Sequence, residues 1–416
     1  MSSFSIPLSG LSASENALNV ISNDLANLNT VGFKDQQANF QDLFYQNLGS
    51  TGSGDPIEVG AGTDVGSVTS NFTDGGLQST GVPSDVAITG DGFFVTENAN
   101  GAMQFTRAGN FTVSDQGQLV TQDGQNVMGY PAVNGVIQPG QGLVPLQVGQ
   151  GQISKAFATT TMQQQTNLDA NAAVGDTYST PITVYDSLGN SHVLTFNYTK
   201  TAAGWNYQIT LPAADTGGAG NPTVINSGAL TFDNNGNLLT PAGPVTPIKI
   251  NGLADGAAQM SMTWNLYSST GASLITQVAS QSTTSSTTQN GYASGTLQSF
   301  TVNSGGTIEG SFSNGQVQAI GQIVLASFAN NQGLELVGNN TFSATLASGQ
   351  AVLGAPGAGG RGSLTGGSLE QSNVDISTEF TQLIVTQRGF EANARMVTTL
   401  DAVGSQTINL QAQPGN

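Results

Sequence analysis

His192 is the single histidine of this chain, which contains no cysteine, so its reactive groups are carboxylates, hydroxyls, amides and one imidazole. A Ser-His-Asp set cannot be proposed on that one ring, and with no second His or Cys a zinc site lacks its usual ligands. His192 follows a turn at residues 186–190 on a segment of alternating polar and apolar residues, which favours a structural place in a strand. We predict no catalytic residue, no bound metal and no cofactor.

Oxygen-rich turns are the next candidates for chemistry. Residues 233–237, Asp-Asn-Asn-Gly-Asn, carry oxygen atoms at alternate positions like part of a calcium loop, but no glutamate follows at the required distance. Asp-to-Gly turns also occur at 115–117 and 186–189 between alternating segments, so we interpret all three as hairpin turns. The sequence therefore offers no active site.

The composition narrows the class of protein. Only 8% of the 416 residues are charged, 55 are glycine, and 8 basic against 26 acidic residues give a net charge of −18. This excess of negative charge argues against nucleic acid or an anionic membrane as a partner. The sequence has no long apolar run that would predict a membrane span, and no basic and apolar N-terminal stretch that would predict a cleaved signal peptide. The composition is typical of an extracellular protein, so we expect export by a route other than the general one.

Apolar residues recur every seven positions near both ends of the chain, the spacing of helices that pack against a partner helix. The sequence predicts a first helix within residues 1–30 and a second, roughly 50 Å long, within residues 373–410. Two helices that are joined only through a distant β-structured part of the chain bury little apolar surface by themselves. We therefore expect neighbouring copies of the chain to cover their apolar residues. The predicted self-assembly seam comprises Leu11, Leu18, Ile21, Leu25, Leu28, Ile376, Phe380, Leu383, Phe390, Val397 and Leu400.

Capping residues mark where the two helices should begin. Ser12 and Glu15 have the spacing of a capping box for the first helix, and Ser9 could instead cap a helix that starts one turn earlier. Asn373 or Asp375 is suited to cap the second.

The remainder of the chain predicts β-structure. Residues 86–95 predict a hairpin around an Asp-Gly turn. The Ser-, Thr- and Gln-rich stretch 276–289 predicts a loop or crossover, and the apolar residues at 40–48 suggest a short helical turn. The predicted fold class is mainly β with terminal α-helices, with two β-rich domains in series and an N-/C-terminal helical coiled-coil core domain. The predicted boundaries are 1–30 with 370–416 for the helical core, 31–70 for a linker, 71–150 with 290–369 for the first β domain, and 151–289 for the outer β domain.

Ordered motifs along nearly the whole chain carry a resemblance to bacterial flagellar rod and hook proteins. The match is weakest between residues 200 and 290, and Gln36-Gln37 replaces the Ser-Arg that is common after Lys34 in that family. The segment 185–192 resembles hook proteins and is not expected in the shorter rod proteins. The matching motifs lie at residues 8–13, 18–27, 29–34, 80–88, 92–94, 107–111, 312–315, 321–323, 369–375, 379–380, 387–388 and 390–394.

The resemblance implies a structural subunit of the flagellar hook that assembles with itself into a curved, flexible tube linking rod to filament and transmitting motor torque. It further implies contacts with the distal rod, hook cap and hook-filament junction proteins. It implies export by the flagellar type III apparatus without a cleaved signal peptide, and an extracellular location in the hook.

Three alternatives remain open at this point. A distal rod protein would share both ends of the chain but lack most of residues 151–289. A secreted β-rich adhesin would share the composition and be a stable monomer. A hydrolase is the third alternative, although the sequence supplies no catalytic set for it.

Overall fold

The computed structural model describes residues 4–50, 56–149 and 151–411. The chain is mainly β, with one α-helix near each end: α1 spans Ser5–Ala26 and α2 spans Ile376–Gln411. The predicted fold class, mainly β with terminal helices, is confirmed. Among the described residues, no helix is both long enough and apolar enough to cross a bilayer.

The backbone forms two compact units. Unit 2 contains residues 151–299 and Ser311–Val317, and unit 1 contains the described residues before 150 together with Phe300–Gly310 and the described residues from 318 onward. The finer predicted division into a helical core, a linker and two β domains stays a prediction.

The strands are short and many. Those before residue 150 are β1 (Gln36–Asp42), β2 (Gln46–Ser50), β3 (Pro56–Val59), β4 (Thr63–Ser70), β5 (Leu77–Ser79), β6 (Val86–Thr89), β7 (Phe93–Glu97), β8 (Met103–Thr106), β9 (Thr112–Val113), β10 (Leu119–Val120), β11 (Asn126–Ile137) and β12 (Val144–Pro145). Those of residues 151–290 are β13 (Ile153–Ser154), β14 (Thr161–Asp169), β15 (Thr177–Tyr185), β16 (Ser191–Thr201), β17 (Gly204–Leu211), β18 (Thr223–Phe232), β19 (Leu238–Thr240), β20 (Val245–Ile250), β21 (Met260–Asn265), β22 (Ile275–Val278) and β23 (Thr283–Gln289). The last group is β24 (Gly295–Val302), β25 (Thr307–Phe312), β26 (Val317–Ile323), β27 (Leu325–Ser327), β28 (Glu335–Gly338), β29 (Thr341–Ser343), β30 (Val352–Gly354), β31 (Ser363–Gly366) and β32 (Ser368–Glu370).

Helix α1 begins earlier than its predicted capping box and ends earlier than residue 30. Phe4 precedes its first residue, and Pro7 is tolerated because a proline in the first turn removes no intrahelical hydrogen bond. The capping-box prediction at Ser12 and Glu15 and the alternative cap at Ser9 are both wrong, since all three residues lie inside the helix. The helix ends at Ala26 because Asn27 turns the chain: its side-chain Oδ1 accepts the Thr30 hydroxyl at 3.0 Å.

The predicted helical turn at residues 40–48 is replaced by parts of strands β1 and β2 and the short segment between them. Strand β1 pairs antiparallel with β4, with a bulge between Asn39 and Phe40, and β2 pairs antiparallel with β3. Phe40 lies in β1, and Phe44 is almost fully exposed. The predicted helical turn is therefore wrong, because pairing with a distant strand outweighs local apolar spacing.

In unit 1 a sheet of order β26-β11-β7-β8-β29-β28 supports two clusters of buried side chains. Strands β6 and β7 occur where predicted, but β6 pairs with β31 and β7 pairs with β8, β11 and β27, so the hairpin prediction is wrong. Val86, Ile88, Phe94 and Val95 are fully buried. Strands that are buried on both faces lack the one-sided alternation of a simple hairpin.

Unit 2 contains two five-stranded sheets, β15-β16-β17-β18-β19 and β20-β21-β14-β22 with β23 on β14. Side chains of both sheets form one core around Trp264, whose ring meets Phe196 and Tyr207 edge-on at 4.8 and 5.1 Å between centroids. The predicted hairpin turn at 233–237 is confirmed by pairing of β18 with β19. The predicted loop at 276–289 is wrong, because its Thr-rich segment pairs antiparallel with β14 as strand β23.

Candidate self-assembly surface

The two terminal helices pack antiparallel in unit 1. A side chain placed at Gly10 of α1 would meet the Asn393 side chain of α2, and one placed at Gly389 would meet Ser14. At the other end of the pair, the carboxylates of Asp24 and Glu379 repel each other. If the same pairing continues along both helices, Ser5 lies opposite about residue 398. The last part of α2 therefore extends beyond the start of α1.

Helix α1 meets α2 through small residues. A Cβ atom at Gly10 would lie 2.7 Å from Asn393 Nδ2, so glycine at this position lets the two helices approach closely. The larger leucines of α1 lie beside this contact with α2 and do not form it. The buried residues of α1 are Pro7, Gly10, Ala13, Ala17, Ile21 and Asp24.

The predicted seam residues occupy three kinds of position. Ile21 is buried in α1, whereas Ile376 and Phe380 are 47% and 51% exposed. Leu28 lies beyond the end of α1, in the turn that follows it. The third kind of position is partly buried, and Leu28 belongs to it with the remaining seam residues: Leu11, Leu18, Leu25, Leu28, Leu383, Phe390, Val397 and Leu400. Their role in self-assembly stays a prediction.

Helix α2 begins where the sequence predicts. Asp375 precedes the first helical residue, and its Oδ1 accepts the Thr378 backbone N–H at 2.8 Å, so Asp375 is the predicted N-cap. Hydrogen bonds from the backbone and side chain of Thr378, and a weaker one from the Ser377 backbone, lower the pKa of this carboxyl, so the cap is charged at neutral pH.

Exposed apolar residues of α2 lie on two sides of the helix. Ile376, Phe380 and Ile384 are spaced by four and form one stripe, the first flank. Val385, Met396 and Val403 are spaced by eleven and seven and form a second stripe, the second flank. With 3.6 residues per turn, the two stripes lie on either side of the face that packs against α1. Each unpartnered flank is a surface of the kind that a protein contact covers.

A buried ion cluster anchors the helix pair on the β part of unit 1. Lys34 Nζ lies 2.6 Å from Glu370 Oε1, and Arg107 Nη1 lies 3.5 Å from Glu370 Oε2. Lys34 Nζ also donates to the Thr73 carbonyl at 2.6 Å, and the Gly75 backbone N–H donates to Glu370 Oε1 at 3.0 Å. Burial lowers the pKa of Lys34, and the hydrogen bond and charge of Glu370 oppose that shift.

Glycine and amide groups complete this junction. Gly32 has a φ of +65°, and a Cβ atom there would collide with the Arg107 backbone at 2.6 Å. The Gly32 N–H donates to the Glu370 carbonyl at 2.8 Å, and Asn373 Oδ1 accepts the Asp35 N–H at 2.8 Å. Three separate sequence motifs, around Lys34, Arg107 and Glu370, therefore meet at one buried point. The sequence showed the motifs but not that they touch.

A second group of acids lies beside this junction. Asp24 is fully buried, and its Oδ2 accepts the Gln36 backbone N–H at 2.9 Å while its Oδ1 has no hydrogen-bond partner among the described residues. Burial raises the pKa of Asp24 to about 7, with smaller contributions from the charges of Glu379 and Asp35. Burial likewise raises the pKa of Glu379 and of Asp35.

Comparison with known proteins decides the family. Residues 6–34 match the family described as Flagella basal body rod protein, residues 87–164 the Flagellar hook protein FlgE/F/G D1 domain, residues 152–292 the Flagellar basal body protein FlaE D2 domain, and residues 365–410 the Flagellar basal body rod FlgEFG protein C-terminal. The chain is 38% identical to the flagellar hook protein FlgE of Salmonella typhimurium, over 98% of this chain and 100% of the relative. This chain belongs to the flagellar hook protein FlgE family.

Other members of the FlgE family cover the chain equally well. The protein of Escherichia coli is 37% identical over 98% of this chain and 100% of its own length. That of Treponema pallidum is 35% identical over 97% of this chain and 98% of its own length. The first and last matched FlgE-family segments, 6–34 and 365–410, contain Lys34 and Glu370, so the ion cluster joins the two ends of the family pattern.

Proposed function

We propose that this chain is a structural subunit of the bacterial flagellar hook and that it assembles with copies of itself through its terminal helices. Membership of the FlgE family supports the hook as its location. The observation that carries the assembly mode is the pair of different apolar flanks on α2.

A continuous tube requires each subunit to offer two unlike surfaces, one for each neighbour. Contacts between unlike surfaces are heterologous, and they close into a ring or continue as a helix. The first flank carries Phe380 and two isoleucines, whereas the second carries two valines and Met396. The two flanks thus offer different sets of apolar side chains, as contacts between unlike surfaces require. The part of α2 that follows about residue 398 has no described residue of α1 opposite it. We expect neighbouring copies of the chain to cover this part of α2 as well.

The finer features of the proposed function rest on the resemblance of the sequence motifs. They are a curved tube that links rod to filament as a universal joint, contacts with the distal rod, hook cap and hook-filament junction proteins, and an extracellular position. They also include export by the flagellar type III apparatus without signal cleavage. The proposed role is structural and not catalytic, with no nucleic acid and no membrane as partner.

The alternatives are less well supported. A distal rod protein was expected to lack most of residues 151–289, whereas this chain forms unit 2 there and matches the FlaE D2 domain over 152–292. An adhesin has no need of two apolar flanks on a terminal helix.

Substitution in a flank tests the proposal. Ile384 is 50% exposed, so Ile384→Asp should change the free energy of unfolding of the monomer by no more than about 0.5 kcal/mol. In a polymer the same carboxylate would be buried against a neighbour without a partner, and tubes should fail to form. Electron microscopy under assembly conditions and thermal melts of the monomer measure the two effects.

Leu346 provides the matched control. It is a fully exposed apolar residue of unit 1 outside the helices, so Leu346→Asp should leave assembly unchanged. Normal tubes from Ile384→Asp protein would refute assembly through the first flank. A wild-type chain that stays monomeric under every assembly condition would refute the structural role and favour an adhesin.

A further inference from the structure

The lone histidine of the chain lies among three carboxylates of unit 2. His192, near the start of β16, is almost fully buried. Its Nε2 lies 3.1 Å from Asp186 Oδ2 and 3.6 Å from Asp255 Oδ2, and its Nδ1 lies 3.0 Å from Asp215 Oδ2. One ligand atom from each of His192, Asp186 and Asp255 falls within 4.8 Å of the others. The prediction of no bound metal rested on the lack of a second His or Cys, and the spacing of residues in the sequence does not show which carboxylates lie beside His192.

The Asp186 side chain is held in place by the backbone. Its Oδ1 accepts the N–H groups of Leu188, Gly189 and Asn190 at 2.8, 2.7 and 2.9 Å, which leaves Oδ2 directed at His192. Asp186 is fully buried, so this carboxylate cannot swing out into water. A ligand oxygen that is fixed before the ion arrives costs little entropy to use.

Asp255 provides the second oxygen from a different connection. Its Oδ2 accepts Asn190 Nδ2 at 3.0 Å, and its Oδ1 accepts the Ala257 N–H at 2.9 Å. The side chain is partly exposed, so one side of the group is open to water.

Asp215 lies outside this ligand set and orients it. In the neutral ring that carries its proton on Nδ1, this N–H donates to Asp215 Oδ2, and the lone pair of Nε2 points towards Asp186 and Asp255. Histidines that bind metals almost always donate the other ring N–H to a carboxylate or carbonyl in this way.

The separations also suit a small divalent ion. Ligands at about 2.0–2.1 Å from a tetrahedral zinc are about 3.3 Å from one another. The two nitrogen–oxygen distances in the group, 3.1 and 3.6 Å, bracket that value. Three carboxylates surround one imidazole, and no lysine or arginine of the described residues forms an ion pair with them.

We propose that His192 Nε2, Asp186 Oδ2 and Asp255 Oδ2 bind one divalent transition-metal ion of the zinc class, with Asp215 as the positioning residue. The ion coordinates neutral imidazole and two carboxylates, and water from the open side completes the coordination. It fastens the turn after β15 and the segment between β20 and β21 to His192 of β16, and Asp215 joins His192 to the 3-10 turn Ala213–Thr216. These connections already touch, since the Ala254 N–H donates to the Asp215 carbonyl at 2.9 Å and the Ala258 N–H to Ser187 Oγ at 3.0 Å.

Titration of the tag-free full-length chain with ZnCl₂ tests the proposal by calorimetry and thermal melts. Wild type should bind one zinc ion and melt at a higher temperature. Asp255→Asn should lose saturable binding, and since Asp255 is partly exposed this variant should fold. Asp215→Asn should weaken zinc binding about 10–100-fold without changing the stoichiometry.

Asp233→Asn is the matched control, because Asp233 is an exposed carboxylate in a hairpin turn of the same unit. It should bind zinc like wild type. The imidazole NMR signals of the chain come from His192 alone and should shift with one equivalent of zinc. Equal binding by wild type and Asp255→Asn, or no His192 shift, would overturn the site. Equal responses to zinc and magnesium would overturn the assignment to a zinc-class ion.

Discussion

Lys34 and Glu370 are 336 positions apart in sequence, yet their side chains form a 2.6 Å ion pair that is almost completely closed to solvent. The pair fastens the segment that follows α1 to the segment that precedes α2. Arg107, whose guanidinium also lies 5.4 Å from the Phe93 ring centroid, ties the same glutamate to the β part of unit 1. The helices are therefore positioned by a buried electrostatic junction as well as by their own contact.

Removing one member of this junction should strongly destabilise unit 1. Lys34→Met leaves Glu370 buried with a weaker counter-charge, and breaking a buried pair in this way costs about 3–5 kcal/mol. We expect a loss of that size in the free energy of unfolding, measured by urea denaturation. The control is Lys155→Met, at an exposed lysine, which should stay within about 0.5 kcal/mol of wild type. Equal effects of the two substitutions would show that the pair does not stabilise the fold.

The contact between α1 and α2 should be sensitive to the volume of residue 10. Gly10→Leu would drive a side chain into Asn393 and separate the helices, so we expect a lower helix stability by circular dichroism and no tube assembly. Gly404→Ala is the comparison: outside the backbone of α2 itself, no atom of the described residues lies within 4 Å of its Cβ position, so the exchange should raise the stability of α2 by about 1 kcal/mol. Unaltered helix stability in Gly10→Leu protein would contradict close packing at this point.

The stability of the helix pair should fall as the pH rises towards neutrality. The pKa of Asp24 in the folded protein is about 7, above its ordinary value of 3.8, so the folded state binds this proton more tightly than the unfolded state. The resulting stabilisation is complete below about pH 3.8 and is lost as the pH rises through 7. Unfolding curves between pH 4 and pH 8 measure this slope.

The variant Asp24→Asn isolates this carboxyl. Asparagine keeps an oxygen that can accept the Gln36 N–H, but it carries no charge at any pH. We expect a flatter pH profile with a gain in stability at pH 8 relative to wild type. A profile as steep as that of wild type would assign the slope to other groups, such as Glu379.

The outer β domain should fold by itself. The buried core of unit 2, from Met162 to Ile275, is drawn entirely from residues inside 151–299. A fragment of residues 151–299 should therefore unfold cooperatively and keep the near-ultraviolet signal of Trp205 and Trp264, both fully buried. A fragment that lacks this signal would show that Ser311–Val317 or unit 1 is required, and that the domain boundary is wrong.

Local patterns determined much of this protein. Heptad spacing predicted both terminal helices, Asp375 was one of two predicted caps for α2, and the Asp-to-Gly pattern identified the turns at 115–117, 186–189 and 233–237. These features depend on residues within a few positions of one another. The order of motifs from residue 8 to residue 394 was also sufficient to indicate the family.

The tertiary structure decided which segments meet, because strand pairing and buried charge join residues that are far apart in sequence. Strand β6 pairs with β31 instead of with β7, and the polar segment 283–289 becomes a strand because β14 offers it hydrogen bonds. Local spacing could not show that Gly10, rather than the leucines, would face α2, since that depends on the space left by Asn393. For the same reason, the sequence did not predict the contact of Lys34 with Glu370. It also did not predict that Asp186, Asp215 and Asp255 surround His192.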